Sequence, residues 1–243
     1  MDLDFSESYK QTNISLLSPN SQFIAIVVDF RLIIRSCQTL SILHLFSCTD
    51  LISCIQWSPD SNLIACASLK LGNIHIWSLS DPKFSCSINE GVAGLSKMFF
   101  GDCRHLLTID DFALRITVWS LIDGSCNYIQ FPKYIEKGYC FRCDSQYFAV
   151  VERRDCKDLV NVYNTADQWS LEKEWTVDTF DLADICWSPD GRYIAAWESV
   201  LFKVLLYYPD GRLVSVYEVD SGLGIKSVQW SPSAQFLAIG IFV

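Results

Sequence analysis

The chain has 243 residues, of which 50% are hydrophobic, 14% aromatic and 19% charged, and its 19 basic against 28 acidic side chains give a formal charge of −9. Charged content below the roughly 25% of ordinary soluble domains, with ample apolar residue for a core, argues against disorder and coiled coil. The acidic balance offers no positive field to phosphate backbones or anionic lipid, and the apolar runs fall far short of the roughly 20 residues of a membrane-spanning helix.

The N-terminus, MDLDFSESYK, carries acids where a secretory leader carries bases. The sequence therefore predicts an intracellular protein, and the sequon at Asn13-Ile14-Ser15 has no export signal to make it a glycosylation site. Residues 4–10 are expected to form a strand that closes the last repeat described below.

From residue 17 onward one string returns along the chain. It reads LSPNSQFIA at 17–25, WSPDSNLIA at 57–65, FRCDSQYFA at 141–149, WSPDGRYIA at 187–195 and WSPSAQFLA at 230–238, with a copy one residue short, FGDCRHLL, at 100–107. Its turn positions Asn20, Asp60, Asp102, Asp144, Asp190 and Ser233 are 40, 42, 42, 46 and 43 residues apart. Proline sets φ for turn entry, Asp or Asn bonds its own backbone, and Gly or Ser tolerates the corner, so each copy is a tight connection between two strands. The short third copy leaves its own turn geometry open. A second marker follows the first: a weak LIIR at 32–35, then IHIW at 74–77, ITVW at 116–119, VNVY at 160–163 and VLLY at 204–207, the last four recurring at 42, 44 and 44 residues.

Two hairpins per period, rich in aromatic and β-branched residues, predict an all-β fold built as a β-propeller in one domain. Five complete blades fall at about 17–48, 55–88, 95–130, 138–175 and 183–218, with a partial sixth at 225–243. Because FLAIGIFV at 236–243 ends in an apolar strand, the ring is expected to be incomplete, the chain a shortened form of a longer one, and its open edge prone to aggregate or to need a partner.

The WSPDG turn, followed 14 to 18 residues later by a strand ending in Trp or Tyr, resembles the WD repeat from about residue 16 onward. The departures matter. Ser78 and Ser120, not Asp, follow Trp77 and Trp119, no Gly-His pair opens a repeat, and the histidines are only His44, His75 and His105. The side-chain network of the best-known WD blades cannot form in most of these, which are expected to hold together by apolar packing. Three blocks, LRITVWSL at 114–121, ERRDCKD at 152–158 and LGIKSVQWSPS at 223–233, are similar to a centrosomal branch of the WD-repeat family. That resemblance implies a non-catalytic protein scaffold at centrosomes, centriolar satellites or spindle poles. It further implies work with a coiled-coil adaptor in anchoring microtubules and in assembling spindles and cilia.

No arrangement of nucleophile, base and charge stabiliser is recognisable, since the sequence has no Gly-x-Ser-x-Gly elbow, no Walker loop and no His-Glu-x-x-His. His75 alternates with Ile74 and Ile76 and reads as a packed strand residue. Cys140 and Cys143 have the spacing of half a zinc site without a second pair, and Gly222-Leu223-Gly224 lacks the third glycine of a dinucleotide loop. Eleven cysteines is an odd number, and Cys37, Cys54, Cys66, Cys140 and Cys186 sit mostly in apolar runs, so they read as reduced core residues. No catalysis, metal, cofactor, small-molecule substrate, nucleic acid or membrane is expected, only protein partners. One rival is a ubiquitin-ligase substrate receptor, but its Trp-Asp-x-Arg signature fails at WSLS 77–80 and WSLI 119–122. Another is a splice product without function.

Two features are candidates for partner binding. Glu152, Arg153, Arg154, Asp155, Lys157 and Asp158 sum to zero charge between the second and third strands of the fourth repeat, where propeller loops gather. They form either a solvated loop of weak ion pairs or an arginine-bearing patch for a partner. Trp197 and Glu198, with Trp169 and Trp175 nearby, lie outside the strand-closing aromatic positions. Trp197 either fills the wedge between two blades or anchors a partner peptide at a rim.

Overall fold

The structure, a computed structural model, describes residues 14–198, 200–218 and 224–242. The strand expected at residues 4–10 lies outside them, as do Gly222 and Leu223.

The recurrent corner has one hydrogen-bond scheme. In WSPDG, the Ser188 amide donates to the Tyr193 carbonyl (2.8 Å), and the Tyr193 amide returns to Ser188 Oγ (2.9 Å). Ser188 Oγ and the Arg192 amide both donate to Asp190 Oδ1, at 2.6 and 3.1 Å. The same contacts recur around Ser58 and Asp60, and around Ser18 and Asn20. Closing so tight a loop demands a left-handed residue after the Asp position, found at Ser21, Ser61, Ser145, Gly191 and Ala234.

The short third copy closes differently. Asp102 Oδ1 accepts both the Arg104 and His105 amides (2.6 and 2.7 Å), and Oδ2 meets His105 Nδ1 at 2.9 Å. One carboxylate thus replaces the serine and aspartate of the longer corners. Burial would raise the Asp102 carboxyl, but the bonds from His105 and the Arg104 amide outweigh it and hold it below the ordinary value. A Cβ at Gly101 would stand 2.7 Å from Leu107 Cδ1 and 3.1 Å from the Trp169 ring, so a larger residue there would displace buried side chains.

The chain divides into two compact units. The first, Met1–Leu95, holds two antiparallel sheets. Sheet I is β1 (Ser15–Leu17), β2 (Phe23–Val28), β3 (Arg31–Ser36) and β4 (Ile42–Ser47); sheet II is β5 (Cys54–Trp57), β6 (Leu63–Ser68), β7 (Asn73–Ser78) and β8 (Ser85–Asn89). The second unit, Ser96–Val243, holds the rest. Sheet III is β9 (Lys97–Phe100), β10 (His105–Ile109), β11 (Arg115–Ser120) and β12 (Cys126–Gln130). Sheet IV is β13 (Tyr139–Phe141), β14 (Tyr147–Arg154), β15 (Lys157–Asn164) and β16 (Ser170–Thr176). Sheet V is β17 (Leu182–Trp187), β18 (Ile194–Glu198), β19 (Lys203–Tyr207) and β20 (Leu213–Glu218), and sheet VI is β21 (Ile225–Trp230) with β22 (Leu237–Ile241).

The all-β expectation holds, with five four-stranded sheets and one of two strands among the described residues. The Ser-Pro-Asp corner joins the first and second strands of its sheet, and the aromatic-ended marker is the third strand. Burial grades across each sheet: β6 and β18 are buried almost throughout, whereas β16 and β20 are exposed along most of their length. β16 protects its outer edge with Glu172, Lys173 and Glu174, charges that discourage pairing with foreign strands.

Apolar side chains fill the wedge between successive sheets within a unit. Leu32, Ile34, Trp57 and Ile64 join sheets I and II, where Trp57 Nε1 also donates to the Leu16 carbonyl (3.2 Å). Leu107, Val118, Phe148 and Trp169 join sheets III and IV; Val162, Leu182, Ile185 and Leu205 join IV and V. Of the cysteines read as core, only Cys66 is fully buried, while Cys37, Cys54, Cys140 and Cys186 are half-buried; all eleven are free thiols. Among the described residues no helix is long and apolar enough to cross a membrane.

Candidate functional site

The segment expected as a loop at 152–158 is mostly strand. β14 runs to Arg154 and β15 begins at Lys157, with Arg154 opposite Lys157 and Arg153 opposite Asp158. Only Asp155 and Cys156 form the turn, at φ of 50° and 59°, the pair of left-handed residues that matches the twist of a two-residue hairpin. Two of the six charges are nonetheless enclosed, one on each face of the hairpin, since Asp158 stands opposite the exposed Arg153 and Glu152 lies two residues before the exposed Arg154. Glu152 and Asp158 are buried, at 3% and 1% exposure, whereas Arg153, Arg154, Asp155 and Lys157 are exposed.

Each buried acid has a counter-charge. Lys133 Nζ, from the connection between β12 and β13, lies 2.9 Å from Asp158 Oδ2 and 2.7 Å from Asp181 Oδ1, and also donates to the Leu182 carbonyl (2.7 Å). The Leu182 amide donates to Asp158 Oδ2 (2.7 Å), and Arg153 Nη1 pairs with Asp181 Oδ1 (2.8 Å). Burial would lower the Lys133 ammonium, yet the carboxylates of Asp181 and Asp158 prevail and hold it above its ordinary value. Glu152 accepts the Tyr163 hydroxyl (2.7 Å) and pairs with Arg154 Nη2 (3.2 Å), which also bonds Glu174. Burial, reinforced by the Glu152 charge, raises the Tyr163 hydroxyl and keeps its proton on oxygen.

The hairpin therefore has two parts with different work. Its stem locks the loops before β13 and before β17 onto sheet IV, and its tip offers Arg153, Arg154, Asp155 and Lys157 to solvent from a rigid frame. Lys133, Glu174 and Asp181 have no signal in sequence, and Tyr163 is marked only as the end of a repeat strand, because each meets the hairpin from 11 or more residues away.

The second candidate lies elsewhere in the packing. Trp197, 6% exposed, is enclosed by Ala183, Ala195, Val204, Ile225 and Val228 between sheets V and VI. That burial puts the ring in the wedge between the two sheets. Glu198 is fully buried and accepts the backbone amides of Phe180 (3.2 Å) and Asp181 (3.3 Å). It thus ties β18 to the same loop that Lys133 and Arg153 hold through Asp181. Trp169 is 5% exposed in the wedge between sheets III and IV, and Trp175 packs 5.9 Å from Tyr207. Cys140 lies in β13 and Cys143 is exposed in the corner that follows; no group of three or more His, Cys, Asp or Glu among the described residues is placed to hold a metal.

Four-stranded antiparallel sheets opened by a Ser-Pro-Asp corner are consistent with blades of the WD type, and WD repeats generally serve as non-catalytic protein-interaction scaffolds. The family model for "WD domain, G-beta repeat" matches residues 39–78. Over 244 residues the chain is 46% identical to WD repeat-containing protein WRAP73 of Mus musculus, an alignment covering 99% of this chain and 53% of that protein. It is 25% identical over 219 residues to the uncharacterized WD repeat-containing protein C32H8.09 of Schizosaccharomyces pombe, covering 85% of this chain and 45% of that one. The chain spans about half the length of the relatives it matches.

Proposed function

We propose that this protein is a non-catalytic scaffold of the centrosome, centriolar satellites and spindle pole, acting with a coiled-coil adaptor in microtubule anchoring, spindle assembly and cilium formation. We also propose that its six sheets are blades of a single propeller domain, on the strength of their regular spacing. The centrosomal reading is carried by the resemblance of the blocks at 114–121, 152–158 and 223–233, and the match to the WD repeat supports the scaffold role. The block at 152–158 is the hairpin whose exposed arginines sit on a backbone that needs little ordering on binding, which lowers the cost of association.

The test is localisation of the tagged protein in dividing cells, together with affinity capture. Enrichment at spindle poles and recovery of a coiled-coil protein are expected. Diffuse distribution, with no centrosomal component recovered, would refute the reading. Reversing charge with Arg153→Glu and Arg154→Glu is expected to reduce capture about tenfold or more, as loss of an arginine hot spot does. Undiminished capture would return the hairpin tip to a structural role.

A further inference from the structure

Two loops of the second unit hold bulky apolar side chains in solvent on a hydrogen-bonded frame. Asp110, 5% exposed, accepts the amides of Phe112 (3.1 Å) and Leu114 (3.0 Å) on one carboxylate oxygen, and the Leu114 carbonyl accepts the Phe131 amide (2.9 Å). Phe112, Leu114 and Phe131 are nevertheless 70%, 57% and 50% exposed. Phe131 also has φ of 57°, a conformation that glycine or asparagine adopts easily and a bulky side chain does not. Single exposed apolar residues are ordinary on any surface. Three on one rigid frame, one of them held against its backbone preference, are the arrangement of a binding surface.

Next to this frame is an open depression of about 400 Å³ lined by Ala113, Lys133, Tyr134, Ile135, Glu136 and Lys137. Most of its charges are already engaged. Lys133 is bound to Asp158 and Asp181, and the Glu136 carboxylate lies 2.9 Å from Lys97. On the neighbouring loop, Asp111 accepts the Ser96 hydroxyl (2.8 Å). Lys137 is exposed, sits 4.6 Å from the centre of the Tyr134 ring, and has no carboxylate within ion-pair distance among the described residues. The depression thus joins an aromatic and aliphatic wall to an exposed cation whose field reaches the half-buried Asp184 carboxyl without a direct ion pair, which leaves the ammonium open to a closer carboxylate.

The geometry points to a docking site for a short acidic peptide segment of a protein partner. An aromatic or aliphatic side chain of that segment packs against Phe112, Leu114, Phe131 and the wall of the depression, and an adjacent Asp or Glu pairs with Lys137. This deepens the scaffold reading and depends on it, while using a surface apart from the exposed tip of the 152–158 hairpin. Because the loops are already fixed by Asp110 and the Leu114 carbonyl, little loop ordering is spent on binding.

The test pans the full chain against a displayed library of random peptides of roughly 12 residues, a length that spans such a site when extended. Selected peptides are then synthesised and their affinities measured by fluorescence anisotropy for the wild type, Phe131→Asn and Lys137→Glu. Expected are sequences that pair an aromatic or aliphatic residue with Asp or Glu, and a loss of about tenfold or more in each variant. Phe131→Asn should also unfold at the same or a higher temperature, because asparagine accepts the left-handed φ, so its loss of binding would not report misfolding. Recovery of no peptide, of peptides without acids, or of peptides that bind both variants like the wild type overturns the proposal. None of these results would bear on localisation at the spindle pole, which is read in cells.

Discussion

Five corners place a left-handed residue after the Asp position, yet only Gly191 is free of the penalty that a Cβ brings there. Gly191→Ala is expected to cost about 1–2 kcal/mol from φ alone, and its Cβ would also stand 2.9 Å from Arg142 Cδ. Ser145→Gly relieves the same strain and should stabilise by up to about 1 kcal/mol. Urea midpoints of the two variants, moving in opposite directions, check both expectations. The buried pair is more sensitive. Lys133→Met leaves Asp158 charged and enclosed, at an expected cost of about 3–5 kcal/mol. Adding Asp158→Asn should recover part of that loss in equilibrium unfolding, because the enclosed carboxylate, left with Arg153 Nε at 3.8 Å as its counter-charge, is then gone. Of these residues the corner positions were legible in sequence and Lys133 was not, since a corner closes on its own neighbours while Lys133 meets Asp158 across 25 positions.

At the level of elements, the first three strands of sheets II to V are marked in sequence by the corner and the aromatic-ended strand, and sheet I by its corner and the weaker LIIR. The fourth strands β4, β8, β12, β16 and β20 share no such string, because their side chains are largely exposed and packing does not restrict them. The hairpin at 152–158 was expected as a loop because its charges suggest solvent. The structure extends both strands instead, and burial of Glu152 and Asp158 becomes possible only with Tyr163, Arg154 and Lys133 in place. Trp197 shows the converse. Its sequence context allowed either a wedge or a rim, and contact with Ile225 and Val228 of β21 places it in the wedge. Trp197→Ala is expected to cost about 3–5 kcal/mol through the cavity left between sheets V and VI, and Trp197→Phe less. Chemical denaturation of both variants checks the order, and equal small effects would show that the wedge collapses around the gap.

For the molecule as a whole, acid should be the main electrostatic stress. Asp181 is held below the ordinary carboxylate value of 3.8 by Lys133 and Arg153, Asp144 by Arg142, and Asp190 by the Ser188 hydroxyl. Groups lowered in the folded state add stability above their unfolded value and surrender it as pH falls through the folded one. Asp184 acts in the opposite sense, because burial raises its carboxyl and folding then favours the protonated form. Lowered groups outnumber it. The thermal midpoint is therefore expected to hold through the neutral range and to drop below about pH 3.8, by a modest amount because most of these pairs are exposed and screened. A midpoint that rises on acidification would instead show Asp184 dominating.

The repeat length, the corner chemistry, the third strand of each sheet and the apolar character of the wedges can be read from residues lying within a few positions of one another, because turn closure and strand alternation are local. The pairing of Lys133 with Asp158, the inward facing of Glu152 and Glu198, the enclosure of Trp197 and the exposure of Phe131 depend on which distant segments come to lie against them. Those outcomes follow from packing and desolvation between segments 11 or more residues apart, and no local pattern encodes them.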